Sequence, residues 1–78
     1  MTKGDAKKVQ IGDVLVAKPF DEGFMFKFKV EEIWTEFEAD GIHEKIMFSG
    51  DVLNRSNGKI TFNHKQIARK VAQEVSVW

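Results

Sequence analysis

The stretch that decides the fold is IWTEFEADGIHEKIMF, residues 33–48, with Asp40-Gly41 at its centre. An Asp-Gly pair can adopt the positive φ angles that a two-residue β-hairpin loop requires. Counting outward from this loop places Trp34 opposite Met47. Side chains alternate between the two faces of a strand, so this register sorts the residues into two sets. One face holds Ile33, Thr35, Phe37, Ala39, Ile42, Ile46 and Phe48, with Glu44 as its only charged member, and is predicted to face the core. The other face holds Trp34, Glu36, Glu38, His43, Lys45 and Met47.

The segment before this hairpin alternates in the opposite phase. Apolar residues occupy even positions from Phe24 to Val30 and odd positions from Ile33 onward. A strand can change phase in this way only if one extra residue is inserted, so we predict a β-bulge or sharp bend at Glu31-Glu32.

Two further hairpins are predicted on either side of the central one. A turn over residues 19–23 sets Val16 opposite Phe26 and Val14 opposite Phe28. A second turn, at Asn57-Gly58, sets Ser56 opposite Lys59, Arg55 opposite Ile60 and Leu53 opposite Phe62.

After the last strand the hydrophobic period becomes helical. Asn63 and Gln66 have the spacing of a capping box, which marks the start of a helix. At about 100° per residue, a single apolar stripe forms on the following segment, and a C-terminal α-helix is expected over about residues 64–75. The stripe consists of Ile67, Ala68, Val71, Ala72 and Val75.

These elements predict one mainly β domain over residues 9–78, preceded by a flexible segment over residues 1–8. We expect a small, five-stranded, bent antiparallel barrel of the SH3-like kind, followed by the C-terminal helix. The segment Ile11-Gly12-Asp13-Val14-Leu15-Val16 resembles the first strand of many SH3-like small barrels. This resemblance implies a fold and carries no function with it.

Composition excludes several kinds of chemistry. The 78 residues include no Cys, which removes disulfides, thiolate metal sites and cysteine nucleophiles. The sequence has no Gly-rich phosphate loop or nucleophile elbow, and His43 and His64 fall in separate structural units. We therefore expect no enzymatic activity, cofactor or metal site, and we expect His43 to balance Glu38 across the strand pair. The lack of Cys and of an apolar segment behind Met1 predicts a cytoplasmic protein without a membrane span.

The charges favour a protein-binding role. Twelve basic and twelve acidic residues cancel overall, yet residues 31–53 hold seven acidic residues and one basic residue, a net charge of −6. An apolar Trp-Met pair inside a charged rim is typical of a site that anchors another protein. We predict a stand-alone protein-binding module, such as an inhibitor, adaptor or subunit, whose partner has a basic surface. The predicted contact residues are Trp34, Met47, Glu36, Glu38, His43 and Lys45.

Four alternatives remain at this point, and the most distant of them is an enzyme whose pocket forms only between subunits. Trp34 and Met47 can instead lie beneath the helix or a chain terminus. The barrel can instead bind nucleic acid, since residues 54–78 hold five basic residues and one acidic residue. The alternating apolar segment from Val75 to Trp78 can cap a second copy of the chain and form a homodimer. The candidate nucleic-acid contacts are Arg55, Lys59, Lys65, Arg69 and Lys70.

Overall fold

The described residues form one five-stranded antiparallel sheet and one short helix. A computed structural model describes residues 1–18, 23, 25–53 and 58–71. The strand order in the sheet is β4-β3-β2-β1-β5, and the sheet is open, with β4 and β5 as its outer strands. The predicted mainly β, antiparallel architecture is therefore confirmed. The elements are α1 (Lys3–Ala6), β1 (Val14–Ala17), β2 (Phe26–Phe37), β3 (Glu44–Val52), β4 (Lys59–Asn63), a 3-10 turn (His64–Gln66) and β5 (Ile67–Lys70).

The central hairpin has the predicted register but a different turn. Trp34 pairs with Met47, and the other pairs between β2 and β3 follow the predicted count up to Phe37. The loop, however, has four residues, because the Glu38 N–H donates to the His43 carbonyl at 2.8 Å and only Gly41 has a positive φ, of 73°. This longer loop has the same centre as the two-residue loop, so the register is unchanged.

The bulge in β2 is also confirmed. Val30 pairs with Gly50 and Glu32 pairs with Ser49, which leaves Glu31 as the extra residue. The insertion reverses the phase of β2, so even-numbered residues face the core before it and odd-numbered residues afterwards.

We call the part of the sheet in which all five strands lie side by side the base. Among the described residues, the buried core lies at the base. Phe28, Phe48 and Leu15 are fully buried there, and the Phe62 ring contacts Phe28 at a centroid distance of 5.9 Å. The arms of the central hairpin extend beyond this core, and the molecule measures 49 × 26 × 21 Å. The prediction that Phe37 and Ile42 face the core is wrong. Among the described residues, no other strand lies beside the part of the β2–β3 hairpin that carries them. Thr35 and Ala39 are likewise exposed.

The predicted register of the first hairpin is wrong by one residue. Leu15 pairs with Phe28, whose predicted partner was Val14. Ala17 pairs with Phe26, whose predicted partner was Val16. The observed register puts the larger Leu15 side chain into the core at 0% exposure. The predicted turn over residues 19–23 lies mostly outside the described residues.

The predicted register of the last hairpin is also wrong. Phe62 pairs with Phe48 and Ile60 pairs with Gly50, so the connection between β3 and β4 is longer than a two-residue turn. This register packs the partly buried Phe62 against the core, whereas the predicted partner, Leu53, is exposed. Asn57 and the predicted partners Arg55 and Ser56 lie outside the described residues.

The predicted C-terminal helix is wrong over residues 67–70, which form β5. The capping box is present, since the Asn63 side chain accepts from Lys65 N–H and Gln66 from Asn63 N–H, but it opens a single 3-10 turn. Strand β5 pairs with β1, whose backbone groups would otherwise form an open edge. Pairing with β1 satisfies those groups and buries Ile67 at 1% exposure. Together these two gains outweigh the weak helical preference of residues 67–70. Residues 72–75 of the predicted helix lie outside the described residues, as does the segment Val75–Trp78 that was predicted to cap a second copy.

The N-terminal residues, predicted to be flexible, pack against the sheet. They form helix α1, and both Ala6 and Val9 are buried in the core cluster. The Met1 amino group donates to the Ile67 carbonyl at 2.5 Å, which ties the N-terminus to β5. Among the described elements, no helix has the length and apolar character needed to cross a membrane.

Candidate protein-binding face

We call the set Trp34, Glu36, Glu38, His43, Lys45 and Met47 the hairpin face. The confirmed register places these residues on one side of the β2–β3 arms, with Trp34 opposite Met47 and Glu36 opposite Lys45. Trp34 and Met47 are partly buried, so neither is sealed inside the protein. The hairpin face therefore presents an apolar pair that retains solvent-accessible surface.

The Trp34 ring is held by its neighbour on the same face. Its indole N–H donates to the Glu36 carboxylate at 2.7 Å. Two positions apart in a strand, these side chains point the same way and reach each other without bending the backbone. This hydrogen bond fixes the orientation of the ring beside Met47.

Two carboxylates at the end of the hairpin, Glu38 and Asp40, have lowered pKa values. The Lys65 ammonium lies 2.6 Å from Glu38 and holds the pKa of that carboxyl below its ordinary value. The pKa of Asp40 is also lowered, first by the Ile42 N–H and then by the His43 ring. His43 lies opposite Glu38 as predicted and contributes to the lowering of its pKa, and the His43 ring also contacts the Asp40 carboxylate directly.

Three groups able to bind a metal ion meet at the end of the hairpin. Ligand atoms of Glu38, Asp40 and His43 all lie within 4.8 Å of one another. The sequence predicts no metal site. In the structure, the Lys65 ammonium binds the Glu38 carboxylate, and the Asp40 carboxylate contacts the His43 ring. These partners within the chain account for the cluster, which supports no assignment of a metal.

The candidate nucleic-acid residues are not brought together into one basic surface. Lys59 lies on β4 and Lys70 on β5, the two outer strands of the sheet. Three of them form salt bridges: Lys59 with Glu31 at 3.1 Å, Lys65 with Glu38 at 2.6 Å, and Lys70 with Asp13 at 3.3 Å. Arg69 has no carboxylate partner within the described residues, and Arg55 lies outside them.

Arg69 and Lys70 do line an open cavity that sequence reasoning missed. This cavity has a volume of about 400 Å³ and lies between the N-terminal segment and β5. It was missed because residues 1–8 were expected to be flexible and residues 67–70 helical. Its walls are formed by Met1, Asp5, Lys8, Val9, Ala68, Arg69 and Lys70.

Two apolar side chains on the opposite side of the hairpin were also missed as surface residues. Phe37 is 63% exposed and Ile42 is 77% exposed. Both residues lie farther along the hairpin than Ile46, the last buried residue of the arm. The length of the hairpin could have indicated their exposure, because the single core of a small domain cannot extend along all of it. Both sides of the projecting arm therefore carry accessible apolar groups.

Comparison of the chain with protein-family models, with curated proteins and with solved structures finds no match. The geometry of the chain itself is therefore the basis of the functional argument.

Proposed function

We propose that this protein is a stand-alone, non-enzymatic binding module that recognises a basic surface of another protein through the hairpin face. The scaffold we propose for it is an SH3-like barrel. In support, β2 carries its bulge at Glu31 and is shared between two halves: one pairs with β1, and the other, within the described residues, pairs with β3 alone.

The observation that carries this proposal is the Trp34–Met47 pair. Trp is among the side chains that most often supply binding energy at protein interfaces, and the flexible Met side chain can adapt its shape to a partner. The bond from Trp34 to Glu36 holds the ring in place before binding, which reduces the entropy lost on association. Carboxylates around an apolar anchor steer an oppositely charged partner toward it.

The distribution of ion pairs favours a protein partner over nucleic acid. Each phosphate contact requires a cation that is free to leave its present partner. Lys59, Lys65 and Lys70 are already paired with carboxylates of this chain. Retention on a DNA or heparin column at low salt, weakening steeply as salt rises, would support nucleic-acid binding instead.

The proposal is tested by affinity capture from an extract of cells that produce the protein. The wild type is compared with Trp34→Ala and Met47→Ala, and each captured protein is purified and its affinity measured directly. We expect at least one partner whose affinity falls by about tenfold or more in both variants, as for a buried interface anchor.

The matched control is Ile11→Ala, because Ile11 is an exposed apolar residue outside the hairpin. Every partner bound equally by the wild type, Trp34→Ala and Met47→Ala would contradict the proposal. An equal loss with Ile11→Ala would indicate nonspecific apolar adhesion and would contradict it too.

A further inference from the structure

Within the described part of the chain, one edge of β2 is open along the projecting arm. Strand β1 covers this edge only from Phe26 to Lys29, and the backbone bonds of Val30 to Gly12 and Asp13 end the coverage. Past the bulge, the only strand paired with β2 in the described part of the chain is β3, on the opposite side. We call the backbone of Ile33, Thr35 and Phe37 the open edge.

The direction of the backbone groups follows from the hydrogen bonds already given. The Glu38 N–H donates to the His43 carbonyl, so Glu38 and His43 form a hydrogen-bonded pair. Such pairs alternate with non-hydrogen-bonded pairs along an antiparallel ladder. The N–H and C=O groups of Ile33, Thr35 and Phe37 therefore point away from β3, and no described residue pairs with them.

We infer that the open edge accepts an extended segment of the partner protein as an added strand, and that this segment alternates basic and apolar residues. This inference rests on the proposed function for the existence of a protein partner. It names a different contact, the backbone of β2, and it specifies the chemistry of the segment.

The side chains that flank the open edge set this pattern. On one side of β2 lie Glu32, Trp34 and Glu36, so residues of the added strand on that side are basic. On the other side lie Ile33, Thr35 and Phe37, and Phe37 is 63% exposed, so residues there are apolar. Backbone hydrogen bonds supply affinity in this mode, and alternate side chains supply specificity.

A second copy of this chain fits the open edge poorly. Two antiparallel copies can pair through this edge in three registers, in which Ile33 lies opposite Phe37, Ile33 opposite Thr35, or Thr35 opposite Phe37. They place Glu32 opposite Glu38, Glu32 opposite Glu36, or Glu36 opposite itself. Like charges directly opposite each other destabilise a strand pair. The same glutamates attract arginine or lysine, which favours a basic partner over a homodimer.

The inference is tested with the capped peptide Arg-Val-Arg-Val-Arg-Val-Arg as the probe, titrated at low ionic strength against the full-length protein. In antiparallel addition the valine N–H groups point toward β2 and the arginine N–H groups point away. We expect a peptide N-methylated on its valines to bind about tenfold more weakly or worse, and one N-methylated on its arginines to keep its affinity. The reverse pattern would indicate parallel addition to the same edge.

Amide hydrogen exchange locates the contact on the protein. In the free monomer, the amides of Ile33, Thr35 and Phe37 should exchange rapidly, while those of Trp34 and Glu36 are protected by β3. Peptide binding should slow exchange at the first three. Protection of those three in the free protein would show the edge already covered, by a second copy or by this chain, and would overturn the inference.

Variants of the protein separate this edge from the hairpin face. Proline at position 35 removes an N–H that the β2–β3 ladder does not use, so Thr35→Pro should fold and lose the peptide, while Thr35→Val should bind it normally. Peptide binding that survives in Trp34→Ala supports the edge even if the hairpin face fails its own test. No binding of the peptide, or binding indifferent to the site of N-methylation, would refute the added strand.

Discussion

The base of the sheet and the projecting hairpin arm carry the same kind of sequence with opposite results. At the base, Phe28 and Phe48 are fully buried, whereas Phe37 and Ile42 on the arm are 63% and 77% exposed. All four positions obey the same alternation of apolar and polar residues. The base is flanked by β1, β4 and β5, and the described arm consists of β2 and β3 alone. Alternation therefore decides which face a side chain occupies, and neighbouring strands decide whether that face is buried.

The largest effect is expected at the bulge that joins the two regions. A Cβ added to Gly50 would lie 1.7 Å from the Lys29 carbonyl oxygen, a contact that the paired backbones cannot relieve. We expect Gly50→Ala to lower the free energy of unfolding by about 5 kcal/mol, comparable with the whole stability of a small domain. Urea denaturation followed by circular dichroism measures this loss.

The matched control is Gly41→Ala at the tip of the arm. No atom lies within 4 Å of a Cβ added there, and the cost arises only from its positive φ of 73°. That cost is about 1–2 kcal/mol. Equal losses for the two variants would show that the backbones at the bulge are not in close contact.

A smaller contrast is expected between two phenylalanines on β2. Phe28→Ala leaves a cavity in the packed base and should cost about 3–5 kcal/mol of stability. Phe37→Ala removes an exposed ring from the arm and should change stability by less than about 0.5 kcal/mol. The same denaturation experiment compares them, and a cost at Phe37 close to that at Phe28 would mean that the arm is packed in solution.

The smallest effect concerns pH, through a histidine that joins the two regions. His64 is 6% exposed, and its Nδ1 atom accepts the Ile46 N–H at 3.1 Å. Burial lowers the pKa of His64 below its ordinary value of 6.5, and the nearby charges of Lys65 and Lys3 act in the same direction. The unfolded chain therefore takes up a proton at a higher pH than the folded chain. Stability from this group is present above about pH 6.5 and is lost as the pH falls toward the folded pKa.

His64→Asn tests this dependence, because the Asn Oδ1 atom can accept the same hydrogen bond without titrating. We expect the wild type to lose more stability than His64→Asn between about pH 7 and about pH 5. The stability that Glu38 and Asp40 contribute is lost at lower pH, because their pKa values lie below the ordinary 4.5 and 3.8. The Met1 amino group also faces His64, so the N-terminus is kept identical in both proteins. Identical pH profiles would contradict this role.

Several features were predictable because each depends on residues close together in the sequence. The phase change between Val30 and Ile33 located the bulge, and Asp40-Gly41 fixed the register that places Trp34 beside Met47. The close approach of backbones at Gly50 was missed, although a glycine inside a strand often marks a bulge or such an approach. Three of the predictions that failed, the first and last hairpin registers and the C-terminal helix, each depend on a distant partner.

The sequence alone determined the faces of β2 and β3, their pairing and the position of the bulge, because alternation and turn chemistry act between near neighbours. Tertiary structure decided that residues 67–70 form a strand, since only β1 supplies the backbone partners that outweigh their helical period. It also decided which apolar residues are buried. The same alternating pattern is covered where other strands lie beside it and exposed where the arm extends past them, and no local pattern encodes that boundary.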